Sequence, residues 1–177
     1  MSLVALDSRS PWSHTTPNVR TVSAASRRWS SSESSTPRLL AMFPRVDGLR
    51  SIEFGTPGAS RALLVDLILN GSKRATAGLL HDYAKEGEEV EHVGELLAMT
   101  DNDGVHVGTL RVTRVEVVRF ADVPDEFALA EAEGDLNAAD FRASHLTYWS
   151  KVGEVVTDDT MVVTIYFDLL PEIHHAS

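Results

Sequence analysis

Residues 96–118 carry the pattern of a β-hairpin, and this segment constrains the fold more than any other. Leu96 to Met99 and Val105 to Val118 are rich in apolar and β-branched residues, which favour strands. Between them stands Asp101-Asn102-Asp103-Gly104, a run of turn-forming residues. Period-two alternation then runs through Val107, Thr109, Arg111, Thr113 and Val115. The chain is therefore expected to build an antiparallel sheet.

Helical patterns flank this hairpin on both sides. Arg61 to Asn70 places leucine and isoleucine at helical spacing, with Ser60 as the expected cap and Gly71 at the end. Two later helices and a last strand are predicted at Pro124–Ala132, Ala138–Trp149 and Thr160–Leu169. Strands joined by hairpins, with helices inserted, predict an α+β domain around a small curved sheet or barrel.

The first 42 residues differ from the rest in composition. They hold 11 Ser and 4 Thr, and five Arg against two acidic residues give this stretch a net charge of +3. Because the whole chain carries −10, residues 43–177 carry −13. We expect a disordered Ser/Arg-rich extension over residues 1–43, a folded domain over 44–171 and a tail over 172–177. A transit peptide, or a nucleic-acid contact through Arg27-Arg28-Trp29, is the alternative interpretation of the extension.

Several classes of protein are excluded by what the chain lacks. It contains no cysteine, which excludes disulfides, thiolate metal sites and cysteine nucleophiles. No apolar run reaches the roughly 18 residues of a spanning helix, and the N-terminus lacks the order of a secretory signal. We therefore expect a cytoplasmic protein without membrane contact. The strong acidity argues against a broad nucleic-acid groove and favours a small ligand.

Gly71-Ser72-Lys73-Arg74-Ala75-Thr76 is the first candidate site. Gly71 allows a sharp turn that would project Lys73 from a loop. A partly desolvated lysine can act as a base, and the hydroxyl of Thr76 could be its nucleophile. The two side chains would point to opposite faces of a regular strand, so their cooperation requires a bend. The alternative is that Lys73 and Arg74 only interact with the dipole at the end of a helix.

Two more segments carry candidate residues. Glu131, Glu133 and Asp135 are crowded together, which predicts a raised pKa for at least one carboxyl group unless they only form an acidic helix end. Arg142, His145 and Trp149 share one face of the predicted helix, where they could hold a phosphate and a base or could pack in the core. His81, His92 and His106 show no metal-ligand spacing, so we predict no metal and no other cofactor.

Together these motifs resemble the ASCH family, relatives of the PUA RNA-binding domains, from about Phe54 to Leu170. The resemblance rests on Phe54-Gly55, the G-x-K-x-x-T stretch from Gly71 to Thr76, and Val93-Gly94-Glu95. It also includes the strand ending at Phe120, the A-x-x-E of Ala128 and Glu131 running into Glu133-Gly134-Asp135, and Arg142 with His145. It implies a small PUA-like β-barrel with inserted helices and a cleft for RNA or a modified nucleoside.

Some small ASCH members deacetylate N4-acetylcytidine. By that resemblance Thr76 would be the nucleophile, Lys73 its base and Glu131 the carboxylate that relays protons. The further residues expected to bind ligand are Phe54, Gly71, Arg74, Glu133, Arg142, His145 and Trp149. The alternatives are a non-catalytic RNA-binding module and a metal-independent ribonuclease that uses His145 and Lys73.

Overall fold

The computed structural model describes residues 44–171, so the predictions for residues 1–43 and 172–177 lie outside the described part. Six strands and four helices form a mixed α+β domain. In chain order they are β1 Arg45–Val46, β2 Leu49–Ile52, α1 Ala59–Leu69, β3 Ala75–Leu79, α2 Leu80–Glu86, β4 Leu96–Thr100, β5 His106–Arg119, α3 Asp125–Glu131, α4 Ala138–Lys151 and β6 Met161–Leu169, with a 3-10 turn at Phe120–Asp122 before α3. In this part of the chain no helix has both the length and the apolar character needed to span a bilayer.

The predicted hairpin is confirmed as the centre of the sheet. Strands β4 and β5 pair antiparallel, with Leu97 opposite Leu110, and the Asp101 carboxylate accepts hydrogen bonds from the backbone N–H of Asp103 and Val105 in the turn. The long strand β5 then pairs along its length with β6. The period-two pattern over 105–118 thus predicted the central strand of the sheet.

The sheet is open, so the expected barrel is wrong. Its strand order is β1-β2-β4-β5-β6-β3, with β2 and β4 parallel and the other neighbours antiparallel. Closing the sheet would require the two end strands, β1 and β3, to pair with each other. Strand β1 has only two residues, and in residues 44–171 it pairs with β2 alone. A strand this short cannot supply the ladder that closure needs.

Two apolar clusters form the core. One contains Phe54, Ile68 and Phe167 and includes buried residues of α1 together with strands β4, β5 and β6. The other contains Phe127, Phe141 and Trp149 and includes buried residues of α3 and α4. Phe54 and Trp149 both line the same cavity, which therefore lies between the two clusters.

Helix α4, which carries His145 and Trp149, begins at a side-chain cap. The side-chain amide oxygen of Asn137, Oδ1, accepts from the N–H groups of Ala139 and Asp140 at 2.9 and 3.0 Å. Asn137 therefore satisfies backbone donors that would otherwise lack partners. The cap expected at Ser60 is absent, because α1 already begins at Ala59 and Ser60 lies inside the helix.

We expect Asn137→Ala to lower the free energy of unfolding by about 1 kcal/mol, the typical loss when an N-cap is removed. Urea denaturation measures it. Asn137→Ser retains a capping oxygen and should keep most of the stability. Equal losses in the two variants would contradict a capping role.

Candidate functional site

A cavity of about 260 Å³ opens between α1, β3, α3 and α4. Its aromatic and apolar lining includes Phe54, Leu79 and Trp149, and its polar lining includes Thr76 on β3 and Glu131 at the end of α3. A concave pocket with a few convergent polar groups is the usual form of a small-ligand site. Thr76 and Glu131, which are distant in sequence, thus face the same space.

Lys73 lies beneath this cavity and is almost completely buried. Its Nζ donates to Glu133 Oε1 at 2.6 Å and lies 3.7 Å from Glu131 Oε1. The chain reaches this position by leaving α1 at Asn70 and turning at Gly71, whose φ of +80° favours glycine. The N–H of Lys73 then donates to the Leu67 carbonyl at 2.9 Å. The loop therefore holds the ammonium group between two carboxylates.

Glu131 is the most unusual ionisable group of the site. It is 1% exposed, and burial raises the pKa of its carboxyl to about 8, with Lys73 opposing the rise and Glu133 and Asp135 adding to it. Within residues 44–171 its Oε2 makes no hydrogen bond. A carboxyl group with this pKa is mostly protonated at pH 7 and can give or take a proton near neutrality.

His145 faces this carboxyl group from α4. Its Nε2 lies 3.5 Å from Glu131 Oε2, a distance too long for a good hydrogen bond, while its Nδ1 lies 3.1 Å from the Phe141 carbonyl. Burial lowers the pKa of the imidazole. A neutral ring that donates from Nδ1 to the carbonyl presents Nε2 as an acceptor toward Glu131. The imidazole thus faces Glu131 Oε2 without making a hydrogen bond to it.

Most of the residues expected in the site meet there. Lys73, Glu131, Glu133 and His145 form one contact cluster. Thr76, Phe54 and Trp149 line the cavity together with Glu131, Glu133 and His145. Lys73 and Thr76 share no hydrogen bond in the described part of the chain, and Lys73 lies behind the cavity lining. Lys73 therefore contacts acids and not the hydroxyl group.

Three of the expected ligand-binding residues lie elsewhere. Gly71 forms the turn after α1, and exposed Arg74 lines a groove with Tyr166 and Asp168. Arg142 donates to the Ala121 carbonyl at 3.4 Å. None of the three is part of the cavity lining. Arg142 instead links α4 to the turn before α3.

The sequence analysis missed several polar residues of the cavity. They are Glu53, Asp82, Ser144 and Tyr148. Tyr148 follows His145 by three residues on α4, so helical spacing from His145 could have identified it. Glu53 is held by Arg61, whose guanidinium group lies 2.6 Å from its carboxylate. No local sequence pattern identifies Asp82 or Glu53 as cavity residues, because only the tertiary fold brings α2 and the end of β2 to the cavity.

The ASCH domain model matches residues 50–171. An ASCH domain structure from Lactobacillus crispatus JV V101 is similar, with 27% identity and a TM-score of 0.59 over 68% of this chain and 80% of that one. A protein from Enterococcus faecalis V583 shares the fold, with 22% identity and a TM-score of 0.59 over 71% and 83%.

A search among curated proteins found no significant match. The family match nevertheless covers well over half of the chain and includes β3, α3 and α4, which carry the cavity residues. The resemblance predicted from the short motifs is therefore confirmed. Over residues 50–171, this chain belongs to the ASCH domain family.

Proposed function

We propose that this protein is an amidohydrolase that cleaves the amide of an uncharged modified nucleoside, of which N4-acetylcytidine is the model substrate. The observation that carries the proposal is the buried Glu131 carboxyl, which has a pKa of about 8 and faces a cavity that Thr76 also lines. Amide hydrolysis needs a nucleophile and a group that moves protons near neutral pH. Thr76 and Glu131 have the chemistry for these two roles.

The charge of the cavity supports an uncharged ligand. Four acidic residues line it, namely Glu53, Asp82, Glu131 and Glu133. Neither lysine nor arginine belongs to the lining in the described residues, and the nearby cations Lys73 and Arg61 are already paired with acids. A phosphate group would meet like charges and no free cation. A nucleoside fits this electrostatic environment better than a nucleotide or an RNA chain.

The aromatic walls support a planar ligand. Phe54, Tyr148 and Trp149 line the cavity with His145, and the rings of His145 and Trp149 lie 5.1 Å apart. Aromatic side chains stack on nucleobases, and such stacking does not require a charged ligand. The base of the nucleoside would occupy this apolar part of the cavity, with its amide toward Thr76 and Glu131.

In the proposed reaction the Thr76 hydroxyl oxygen bonds to the amide carbonyl carbon, and the hydroxyl proton passes to ionised Glu131. The C–N bond then breaks, and Glu131 returns the proton to the leaving amine of the base. Water next attacks the acyl ester on Thr76, which releases the carboxylic acid and restores the hydroxyl. Overall, amide and water give amine and acid. Lys73 holds Glu131 and Glu133 in place. We therefore assign the role of base to Glu131 and not to Lys73.

The test is incubation of the purified full chain with N4-acetylcytidine, with cytidine and acetate measured by chromatography. We expect both products in equal amounts. Thr76→Val keeps the shape of the side chain and should lower the rate about 100-fold, with water attack as the residual route, while Thr76→Ser should retain more activity. Absence of turnover by the intact protein would overturn the proposal.

The same preparation tests the RNA-binding alternative. A non-catalytic module would bind single-stranded RNA with an affinity that falls steeply between low and high salt, and would form no cytidine. N4-acetylcytidine 5′-monophosphate serves as the charge control. On the present proposal, its hydrolysis should be slower than that of the nucleoside.

A further inference from the structure

We propose that His81, Asp82 and Glu154 form a Zn²⁺ site at the rim of the cavity. His81 Nε2 lies 2.8 Å from Glu154 Oε2 and 3.5 Å from Asp82 Oδ1. One ligand atom from each residue lies within 4.8 Å of the others, and all three residues are half-buried. The three side chains therefore already converge on one point.

The donor set suits a transition metal ion. One imidazole nitrogen and two carboxylate oxygens are ligands that Zn²⁺ accepts, whereas Mg²⁺ and Ca²⁺ prefer oxygen alone. Tetrahedral Zn²⁺ with ligands at about 2.0–2.2 Å holds neighbouring ligand atoms roughly 3.4 Å apart. The spacing of His81 from the two carboxylates brackets this distance. The third pair, Asp82 with Glu154, lies within 4.8 Å, so side-chain rotation would bring these two oxygens to the same spacing.

The fold fixes the three ligands from two elements. His81 and Asp82 are consecutive residues in the first turn of α2, and Glu154 follows α4, where its N–H donates to the Trp149 carbonyl at 2.9 Å. His81 and Glu154 are 73 residues apart in sequence. The sequence analysis predicted no metal from the spacing of the histidines alone. That spacing could not reveal Glu154, which only the fold brings next to His81.

Lys85 shows that this position attracts a cation. Its Nζ lies 3.0 Å from both Asp82 Oδ1 and Glu154 Oε1, so the ammonium group bridges the two carboxylates. The side chain is 55% exposed and can leave for solvent when a metal binds. Lys85 is therefore a competitor of Zn²⁺, and its removal should strengthen metal binding.

The site is distinct from the group of Lys73, Glu131 and His145, although Asp82 also lines the cavity. With three protein ligands, a bound Zn²⁺ retains a fourth coordination position for water or a ligand atom. The ion would add positive charge to the rim of an otherwise acidic cavity. Zn²⁺ binding at this site is independent of amide hydrolysis, because none of the proposed reaction steps uses the metal.

The experiment is isothermal titration calorimetry of the metal-free full chain with ZnCl₂, and with MgCl₂ as a second probe. We expect one Zn²⁺ per chain at this site and no Mg²⁺ binding. His81→Ala should weaken that Zn²⁺ affinity at least tenfold, and Lys85→Met should raise it at least threefold. Circular dichroism confirms that each variant is folded.

Matched controls separate this site from other histidines. His92 also contacts one carboxylate, that of Glu95 at 3.2 Å, so His92→Ala should leave the affinity unchanged. In a second control, His174 and His175 are both replaced by alanine. Any Zn²⁺ that these two histidines bind should be weaker and independent, so the affinity of the His81 site should not change. Unchanged Zn²⁺ binding in His81→Ala, or weaker binding in Lys85→Met, would overturn the proposal. Hydrolysis assays with chelator present report separately on the amidohydrolase.

Discussion

Lys73→Ala is expected to lower the free energy of unfolding by about 3 kcal/mol, the largest stability loss that we predict. Its ammonium group is fully buried and pairs with the Glu133 carboxylate at 2.6 Å, and removing one partner of such an ion pair leaves the other charge without compensation. Truncation also leaves a cavity where the aliphatic stem was packed. Urea denaturation at pH 7 measures the loss.

Two variants separate the causes of this loss. Lys73→Met refills most of the volume without the charge, so it should recover part of the stability, and the remaining deficit measures the ion pair. Arg74→Ala removes the neighbouring cation, which is exposed, and should change the stability by less than about 0.5 kcal/mol. A Lys73→Ala protein as stable as Arg74→Ala would contradict the buried ion pair.

The burial of Lys73 could not be predicted from the sequence. A cation just after a helix is usually placed at the helix dipole, and the G-x-K-x-x-T spacing does not show on which side of the loop the side chain lies. Two long-range contacts decide it. The N–H of Arg74 donates to the Ala130 carbonyl at 2.8 Å, and the N–H of Phe167 donates to the Arg74 carbonyl at 3.0 Å. These bonds fix the loop against α3 and β6, with Lys73 inside.

Local periodicity predicted the elements that have strong patterns of their own. The β4–β5 hairpin, α1, α4 and β6 lie within a few residues of their predicted bounds. Strand β3 was missed because Ala75-Thr76-Ala77-Gly78-Leu79 is poor in strand-forming residues. Its extended form comes from antiparallel pairing with β6, in which Thr76 lies opposite Ile165. The prediction of a closed barrel was wrong because closure, like the formation of β3, depends on pairing between strands that are distant in sequence.

The candidate site was predicted in part for the right reason. Crowding of Glu131, Glu133 and Asp135 predicted a raised carboxyl pKa, and the pKa of Glu131 is raised. Burial is the larger cause and like charge the smaller, because Phe127 and Ala128 draw the end of α3 into the core. The helical face of Arg142, His145 and Trp149 was predicted as one surface, yet Arg142 points to a backbone carbonyl outside the cavity. Only tertiary packing separates these three.

Glu131→Gln tests the carboxyl group by two independent measurements. In the rate assay with N4-acetylcytidine we expect a loss of about 1000-fold, within the range typical of general acid–base groups. In the native protein the rate should rise with pH and level off above about pH 8, since the carboxyl group must be ionised to accept the Thr76 proton. The variant should lose this dependence together with its activity.

The same substitution should stabilise the fold at alkaline pH. Burial raises the pKa of Glu131 from its usual 4.5 to about 8, so between these values the folded state binds a proton that the unfolded state has released. The stability that the fold gains by keeping Glu131 protonated is complete below pH 4.5 and is lost as the pH rises through 8. Glutamine imitates the uncharged acid and does not ionise over this pH range. The native protein should therefore weaken from pH 5 to pH 9 by a few kcal/mol relative to Glu131→Gln.

Urea denaturation at pH 5, 7 and 9 checks this expectation, and Glu126→Gln is the control. Glu126 lies on the same helix and pairs with Arg114 at 3.3 Å, but its side chain is 68% exposed. Its removal should leave the shape of the stability curve unchanged. Parallel curves for the native protein and Glu131→Gln would mean that the buried carboxyl group titrates normally. In that case Glu131 would be ionised at pH 7, and the proton transfer proposed for the cavity would lose its physical basis.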